Sequence, residues 1–579
     1  MNYSITGYGI ISAIGNNATE TLTSLTSQQS GIGTMRYLQS THKELPVGEV
    51  KLSDLEMKSI LGIDSSEVIS RTTLLGAIAV RQAMDDAGYT AEQLKGRKVA
   101  LISGTTVGGM DVTERLFPSM RTEDRNLAYV NKHDCGSNTH EIATLCGLDT
   151  AEVCTISTAC SSALNALILG CEMLKSGEAD VVIAGGTEAL SRFHLNGFNT
   201  LLILDKEQCR PFDATRAGLN LGEGAAFLVL EKDNPVAKAY IAGYGNRCDA
   251  FHQTATSDNG EGAYLAMTDA LTMSGLKPED IDYVNAHGTG TPNNDISESV
   301  ALKRVFGDVM PPVSSTKAYT GHTTSASGSI ETVISILAMQ HGFIPANIGW
   351  KNQTEGGITP CMGKEGVTLN NIVCNSFGFG GNDSSLIICR DAREMAANEQ
   401  HYQAVVASEY TVDDMAQLPE LKEFVSPMQS RRMGKLIKAA TLSSLKALQT
   451  AGVTCPDAII TGTAYGMLET SEKFLIDMTD NGEETLSPTL FMQSTHNTVG
   501  SAIAIRTKCH GYNITYTQGD KSLDWALRDA RRLIETGRAQ TVLVGVHDES
   551  TELFRSFAER LHQPAPKEIY SHSIVLKRA

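Results

Sequence analysis

Short apolar runs of strand length alternate along the chain with longer segments whose apolar residues recur at helical spacing. From the N-terminus they read SITGYGIIS, RTTLLGAIAVRQAMDDAG, KVALISG, CSSALNALILGCEMLKSGEAD and VVIAGG. This alternation predicts stacked α/β layers. The pattern breaks in the polar stretch RDAREMAANEQ and resumes with the strand-like YQAVVAS, which places a linker at residues 393–402.

Beyond that linker the pattern repeats itself. ACSSALNALILGCEMLKSGEADVVIAGGTE lies over GDKSLDWALRDARRLIETGRAQTVLVGVHDE at a shift of 360, which pairs Ala166 with Ala526, Leu167 with Leu527, Gly177 with Gly537 and Gly185 with Gly545. Two further overlays, RTTLLGAIAVRQAMDDAG on RRMGKLIKAATLSSLKALQTAG and KVALISGTTVGG on PDAIITGTAYGM, follow in the same order, and the closing SIVLKR resembles AFLVLEK. Ordered self-similarity marks a duplicated unit. The copy spans 403–579, carries Asp520 where the first unit has Cys160, and has no counterpart of residues 246–392.

Composition narrows the class. With 579 residues, 41% of them hydrophobic, and 52 glycines, the chain is globular and long enough for more than one domain. No stretch of about 18 apolar residues occurs, so no membrane insertion and a cytoplasmic location are expected. The 12 cysteines form no CxxC pair and no zinc-like cluster, so no metal is expected and a functional cysteine must declare itself by context. A net charge of −18 argues against nucleic acid as a partner. Residues 401–579 hold 19 basic against 21 acidic residues, so the last third is the relatively basic part.

Four stretches could carry chemistry. In STACSSALNAL, Cys160 precedes an apolar helical run, where the helix dipole and free N–H groups favour thiolate. It reads as a nucleophile or as one more small buried hydrophobe. His287 stands in the NAHGTGTPNND turn after the strand-like IDYVNA, the end of a strand being where α/β folds present functional side chains. Lys317 and His322 lie in SSTKAYTGHTTSASGS, whose small residues suit either a close ligand approach or tight helix packing. NSFGFGGNDSS is an aromatic turn flanked by glycines and lacks the lysine and spacing of a phosphate loop.

Together, and in this order, the stretches resemble the elongating β-ketoacyl-acyl-carrier-protein synthases with a Cys-His-His triad. Further matches are TGYGIIS, RPFDATRAGLNLGEGAAFLVLE and Glu331 nine residues after His322. The resemblance implies a thiolase fold of two α/β halves in five layers, at 1–245 and 246–392, usually dimeric, followed here by the linker and a third half at 403–579. It implies acyltransferase chemistry without a bound cofactor, since phosphopantetheine arrives on the acyl carrier protein, with malonyl and acyl thioesters as substrates. Cys160 would be the nucleophile, His287 and His322 would stabilise the malonyl enolate, and Lys317 with Glu331 would position His322. The N–H groups of Cys160 and Phe379 would form the oxyanion hole, with Phe379 also a gate between flexible glycines. Asp295 would support the site from behind, and Val107 would line the acyl pocket. Where the family usually has GHTxGAAG and FGGTN, this chain has GHTTSASG and FGGND, adding Ser325, Ser327 and the carboxylate of Asp383.

The C-terminal copy resembles truncated, non-catalytic ketosynthase-like domains found beside condensing enzymes, and more loosely chain-length factors. A half of this kind is expected to dock. Related synthases attract acidic carrier proteins with a basic helix near the position of SRTTLLGAIAV, which here keeps little besides Arg71. The copy has Arg431, Arg432, Lys435 and Lys438 in the equivalent segment, a candidate docking surface. The alternative to an active homodimeric enzyme is a non-catalytic chain-length-factor-like or scaffolding partner of another ketosynthase.

Overall fold

The computed structural model describes residues 2–393 and 401–579; most of the expected linker, residues 394–400, lies outside the described residues. The first unit contributes strands β1 (Tyr3–Ser12), β2 (Val99–Gly104), β3 (Glu152–Ile156), β4 (Val181–Glu188) and β5 (Gly224–Lys232). The second contributes β6 (Ala239–Cys248), β7 (Tyr283–Asn285) and β8 (Val313–Ser314), then a separate ribbon of β9 (Phe343–Ile344) and β10 (Lys364–Glu365), then β11 (Asn371–Gly378) and β12 (Asn382–Cys389). The third contributes β13 (Ala404–Val412), β14 (Ala458–Gly462), β15 (Tyr512–Tyr516), β16 (Thr541–Glu549) and β17 (Ile569–Arg578).

All except the ribbon join one sheet in the order β13-β17-β16-β14-β15-β3-β2-β4-β5-β1-β6-β12-β11-β7-β8. Each unit repeats the same five-strand order. In the first, β2 runs parallel to β3 and β4, and β4 is antiparallel to β5; in the third, β14 runs parallel to β15 and β16, and β16 is antiparallel to β17. Strand β4 is buried along its whole length, which is why VVIAGG reads as an unbroken apolar run.

The first two units meet through a short pairing of β1 with β6, Tyr3 opposite Ile241 through Ile5 opposite Ala239. Two helices, Ser162–Ser176 and Ser327–His341, touch strands of both units and so lie between them. Helices Arg71–Asp86 and Glu261–Ser274 cover the outer faces, completing helix, sheet, helix, sheet, helix. The inner helices approach closely at Gly328, where a β-carbon would come within 2.6 Å of the Leu164 side chain. The small residues after His322 therefore serve packing at that point.

The third unit docks edge to edge. β15 meets β3 antiparallel at Tyr516 and Ile156, with Ser157 N–H donating to Thr515 O and Thr517 N–H to Thr155 O, both at 3.0 Å. Ile156, Tyr516, Trp525 and Ile534 share one apolar core across the junction. Arginines of the third unit pair with acids of the first: Arg528 with Glu152, Arg532 with Glu178, Arg538 with Glu172 and Arg560 with Asp124. The relatively basic character of the last third is thus partly consumed inside the molecule. Arg71, counted as the remnant of a surface basic helix, is buried instead and held by Glu223 at 2.6 Å and Asp54 at 2.7 Å, because its helix packs its first turn inward.

Candidate active site

The turn after β3 carries the cysteine. Ala159 sits at φ +50, a conformation that few residues other than glycine adopt, and it turns Cys160 into the space between the first two units. His322 Nε2 lies 3.1 Å from Cys160 Sγ, and the His287 ring stands edge-on to that of His322 with centroids 5.2 Å apart. Cys160 is 5% exposed and the histidines 2% each, so the centre is closed and a substrate enters only if something moves. Among the described residues this is the one tight cluster of possible metal ligands, its donor atoms within 4.8 Å of one another.

Burial and charge set the protonation states. The thiol is pushed up to about 11 by burial, against the opposing pull of the Lys317 charge and of the Phe379 and Cys160 N–H groups. The helix start does not hold a resting thiolate here, because loss of solvent outweighs those attractions. Burial and the Lys317 charge also hold His287 and His322 well below the ordinary histidine range, so both rings are neutral.

Several supports surround the triad. Lys317 Nζ lies 2.6 Å from Glu331 Oε1, both buried, and burial raises the Glu331 carboxyl to about 7. Among the described residues neither of the pair hydrogen-bonds to His322. That ring is oriented by Ser327, whose hydroxyl lies 3.0 Å from Nδ1, so the ion pair acts on the ring through charge rather than contact. A hydroxyl can donate to Nδ1 or accept from it, so either neutral tautomer of His322 finds a partner. Ser325, the other added hydroxyl, donates to Glu188 at 2.7 Å. Glu298, which sequence reasoning missed, accepts the N–H groups of His287 and Gly288 at 2.8 and 2.7 Å and fixes the HGT turn. Its only signal was a second acid on the helix that already carries Asp295. Asp295 accepts from Phe212 and Gly290 N–H, supporting the neighbouring loop without touching the triad.

The Phe379 turn forms the roof. Phe379 lies between β11 and β12, and Gly378 is required where the strand end crosses the nucleophile turn: a β-carbon there would sit 2.7 Å from Thr158 O. Gly380 and Gly381 follow at φ +87 and +73. The Phe379 ring stacks on Phe198 at 5.5 Å, and Phe198 meets Phe491 of the third unit at 5.3 Å. Phe491 fits against Gly197, where any side chain would collide with it. Val107 belongs to the same apolar cluster, as do Phe193 and Phe474. Asp383 is buried, and burial together with the adjacent Asp249 pushes its carboxyl well above the usual range.

The basic segment of the third unit is only partly available. Arg431 and Arg432 are exposed, and Lys438 is half-buried. Lys435 is already engaged, its Nζ donating to Ser550 O at 3.0 Å beside Glu469.

A cysteine under two histidines, set where two like α/β halves meet in five layers, defines a thiolase-type condensing-enzyme architecture. Family models agree: the "Beta-ketoacyl synthase, N-terminal domain" matches residues 4–235, the "Beta-ketoacyl synthase, C-terminal domain" matches 238–351, and a second N-terminal-domain model matches 394–574. The chain belongs to the β-ketoacyl synthase family. It is 31% identical over 408 residues to "3-oxoacyl-[acyl-carrier-protein] synthase 2" of Coxiella burnetii, covering 67% of this chain and 98% of that one. It is 32% identical over 400 residues to "Nodulation protein E" of Rhizobium meliloti, covering 66% and 97%. Among solved structures, the ishigamide ketosynthase/chain length factor matches with a TM-score of 0.63 and 30% identity over 67% of this chain and 98% of that one. The PfaC keto synthase-chain length factor covers 100% of this chain with 78% of its own, at a TM-score of 0.77 and 17% identity, so the fold of all three units recurs there.

Proposed function

We propose that the chain is a decarboxylative ketosynthase that joins an acyl thioester to malonyl-acyl carrier protein, the third unit acting as a built-in, non-catalytic partner. The observation that carries this reading is the convergence of Cys160, His287 and His322 under the N–H groups of Phe379 and Cys160. In the first half-reaction the Cys160 S–H proton passes to His322 Nε2 as sulfur attacks the acyl thioester. The two N–H groups take the developing oxyanion, and the carrier thiol leaves with the proton. In the second half-reaction malonyl thioester loses carbon dioxide, and N–H donors of His287 and His322 hold the enolate oxygen while its carbon attacks the acyl-cysteine, breaking the acyl–sulfur bond and expelling the Cys160 thiolate, which regains its proton from water. For His322 this requires the opposite tautomer from the one that accepts the thiol proton, a change the Ser327 hydroxyl accommodates by exchanging donor for acceptor. Phosphopantetheine is supplied by the carrier protein, in line with relatives named as acyl-carrier-protein synthases.

Val107, Phe198 and Phe491 belong to one apolar cluster beside Phe379, and an acyl chain entering it would meet the third unit at Phe491, which would then limit chain length. Arg431, Arg432 and Lys438 would contribute to carrier-protein docking, and Lys435 would not, being engaged internally. Because the β3 edge is covered in cis, a homodimer of this chain would pair through another surface. The expected location is the cytoplasm. Incubation with radiolabelled acyl-carrier protein tests the central claim: label retained by the parent and lost in Cys160→Ser is expected. No adduct on the parent would favour a non-catalytic partner.

A further inference from the structure

The third unit reaches the reaction centre at Phe379. The Asn497 side chain, at the start of the helix Thr498–Thr507, donates from Nδ2 to Phe379 O and to Asn382 Oδ1, each at 2.7 Å. These two acceptors bracket the glycines of the gate loop. Gly380 passes so close that a β-carbon there would lie 2.7 Å from Asn497 Nδ2. The asparagine of this chain's FGGND sequence ties the loop in a second way, because Asn382 supplies both an acceptor for Asn497 and a donor, at 2.9 Å, to Asn513 O of β15.

The bonding continues inward. Asn513 N–H donates to Asn246 Oδ1 at 2.9 Å, Asn246 donates to Asn165 Oδ1 at 2.8 Å, and Asn165 donates to Thr158 Oγ1 at 2.8 Å, two residues before the nucleophile. A line of buried amides thus joins the gate, the third unit and the Cys160 turn, and a polar network buried this completely holds its members in one arrangement.

We infer that Asn497 is a positioning residue for the Phe379 gate, through which the third unit holds the gate over Cys160. The inference rests on the proposed ketosynthase reaction and on the gate role that the family resemblance implies for Phe379. By fixing the Phe379 carbonyl, Asn497 restrains rotation about the two bonds that link Phe379 to Gly380. The ring then stays on Phe198 and the Phe379 N–H stays at the sulfur. Swinging the ring aside for the second thioester requires those two hydrogen bonds to break, so Asn497 sets how often the gate opens.

The test is a double-mutant cycle in the full chain, Asn497→Ala with Phe379→Ala. It reads two rates: acyl loading of Cys160 by mass spectrometry and carbon dioxide release from malonyl-carrier protein. Loss of two hydrogen bonds to the gate loop should change the ratio of loading to decarboxylation about tenfold. With the ring removed in Phe379→Ala, Asn497→Ala should shift the ratio by clearly less than in the parent, because only the backbone N–H of residue 379, and no ring, is left to hold. Arg560→Ala, which cuts a junction ion pair with Asp124, should leave the ratio unchanged. Asn497→Ser, too short to reach the loop, serves the same cycle if Asn497→Ala does not fold. An unchanged ratio, or an equal shift in both backgrounds, overturns the inference and leaves the ketosynthase reading intact. A parent that never acylates Cys160 defeats both.

Discussion

The ionisation of Cys160 provides a quantitative test of how this centre is built. A thiol raised from 9 to about 11 is charged at pH 7 in roughly one molecule in ten thousand, and at pH 9 in roughly one in a hundred. Alkylation by a small reagent proceeds through thiolate, so its rate should rise about a hundredfold between those values, without a plateau. An ordinary thiol near 8.5 would rise only about twenty-fivefold and bend over by pH 9. The net cost of ionising the thiol in place, burial less the pull of Lys317 and the N–H groups, is about 3 kcal/mol. Peptide mass spectrometry with limiting iodoacetamide measures Cys160 and the exposed Cys455 in the same sample. Lys317→Met adds a signed check: it removes the largest downward influence on the thiol, so Cys160 should react more slowly at every pH. Glu331, already raised to about 7, takes up a proton in that variant and is not left as an isolated buried charge. A Cys160 profile that levels off below pH 8, or faster reaction in Lys317→Met, would refute the balance of burial against charge described here.

Three further outcomes follow. Ser327→Ala should lower kcat about tenfold with little change in KM, since His322 Nδ1 loses its partner, while Ser327→Thr should keep most activity; steady-state kinetics of the two variants decide it. Phe491→Ala should cost about 3–5 kcal/mol of stability, because the ring is 3% exposed, and should lengthen the products, read by melting temperature and by mass spectrometry of the carrier-bound chains. Excess Zn²⁺ should inhibit reversibly, with a chelator restoring activity, because one thiol and two neutral imidazoles lie within 4.8 Å of one another; prior acylation of Cys160 should protect.

Much of this design was legible in the chain, for identifiable reasons. The three-unit architecture could be read because buried strands and their following helices leave period and order in the sequence, and a repeat at a shift of 360 preserves both. The triad could be suspected because Cys160, His287 and His322 stand in unusual turns. Ionisation was misjudged: the local pattern announces a helix start at Cys160, but the burial that outweighs it comes from the second unit closing over the turn. Lys435 and Arg71 looked like surface charge and are not, since Ser550 and Glu223, which engage them, lie 115 and 152 residues away along the chain. Asn497 carried no signal of its own, because an asparagine before a helix is commonplace and its meaning depends on an acceptor 118 residues earlier. Glu298 was hidden for the same reason: a carboxylate that binds backbone N–H groups has no signature until the turn is folded.

The junction between β3 and β15 has a consequence for how the protein behaves as a population of molecules. A separate partner subunit must be found by diffusion and is lost on dilution, so the fraction of complete centres would follow its concentration. Here the partner half is part of the same chain, so its local concentration is set by the tether and not by the cell. Specific activity should then stay constant as the protein is diluted, and every centre is made with its own gatekeeper in one-to-one proportion.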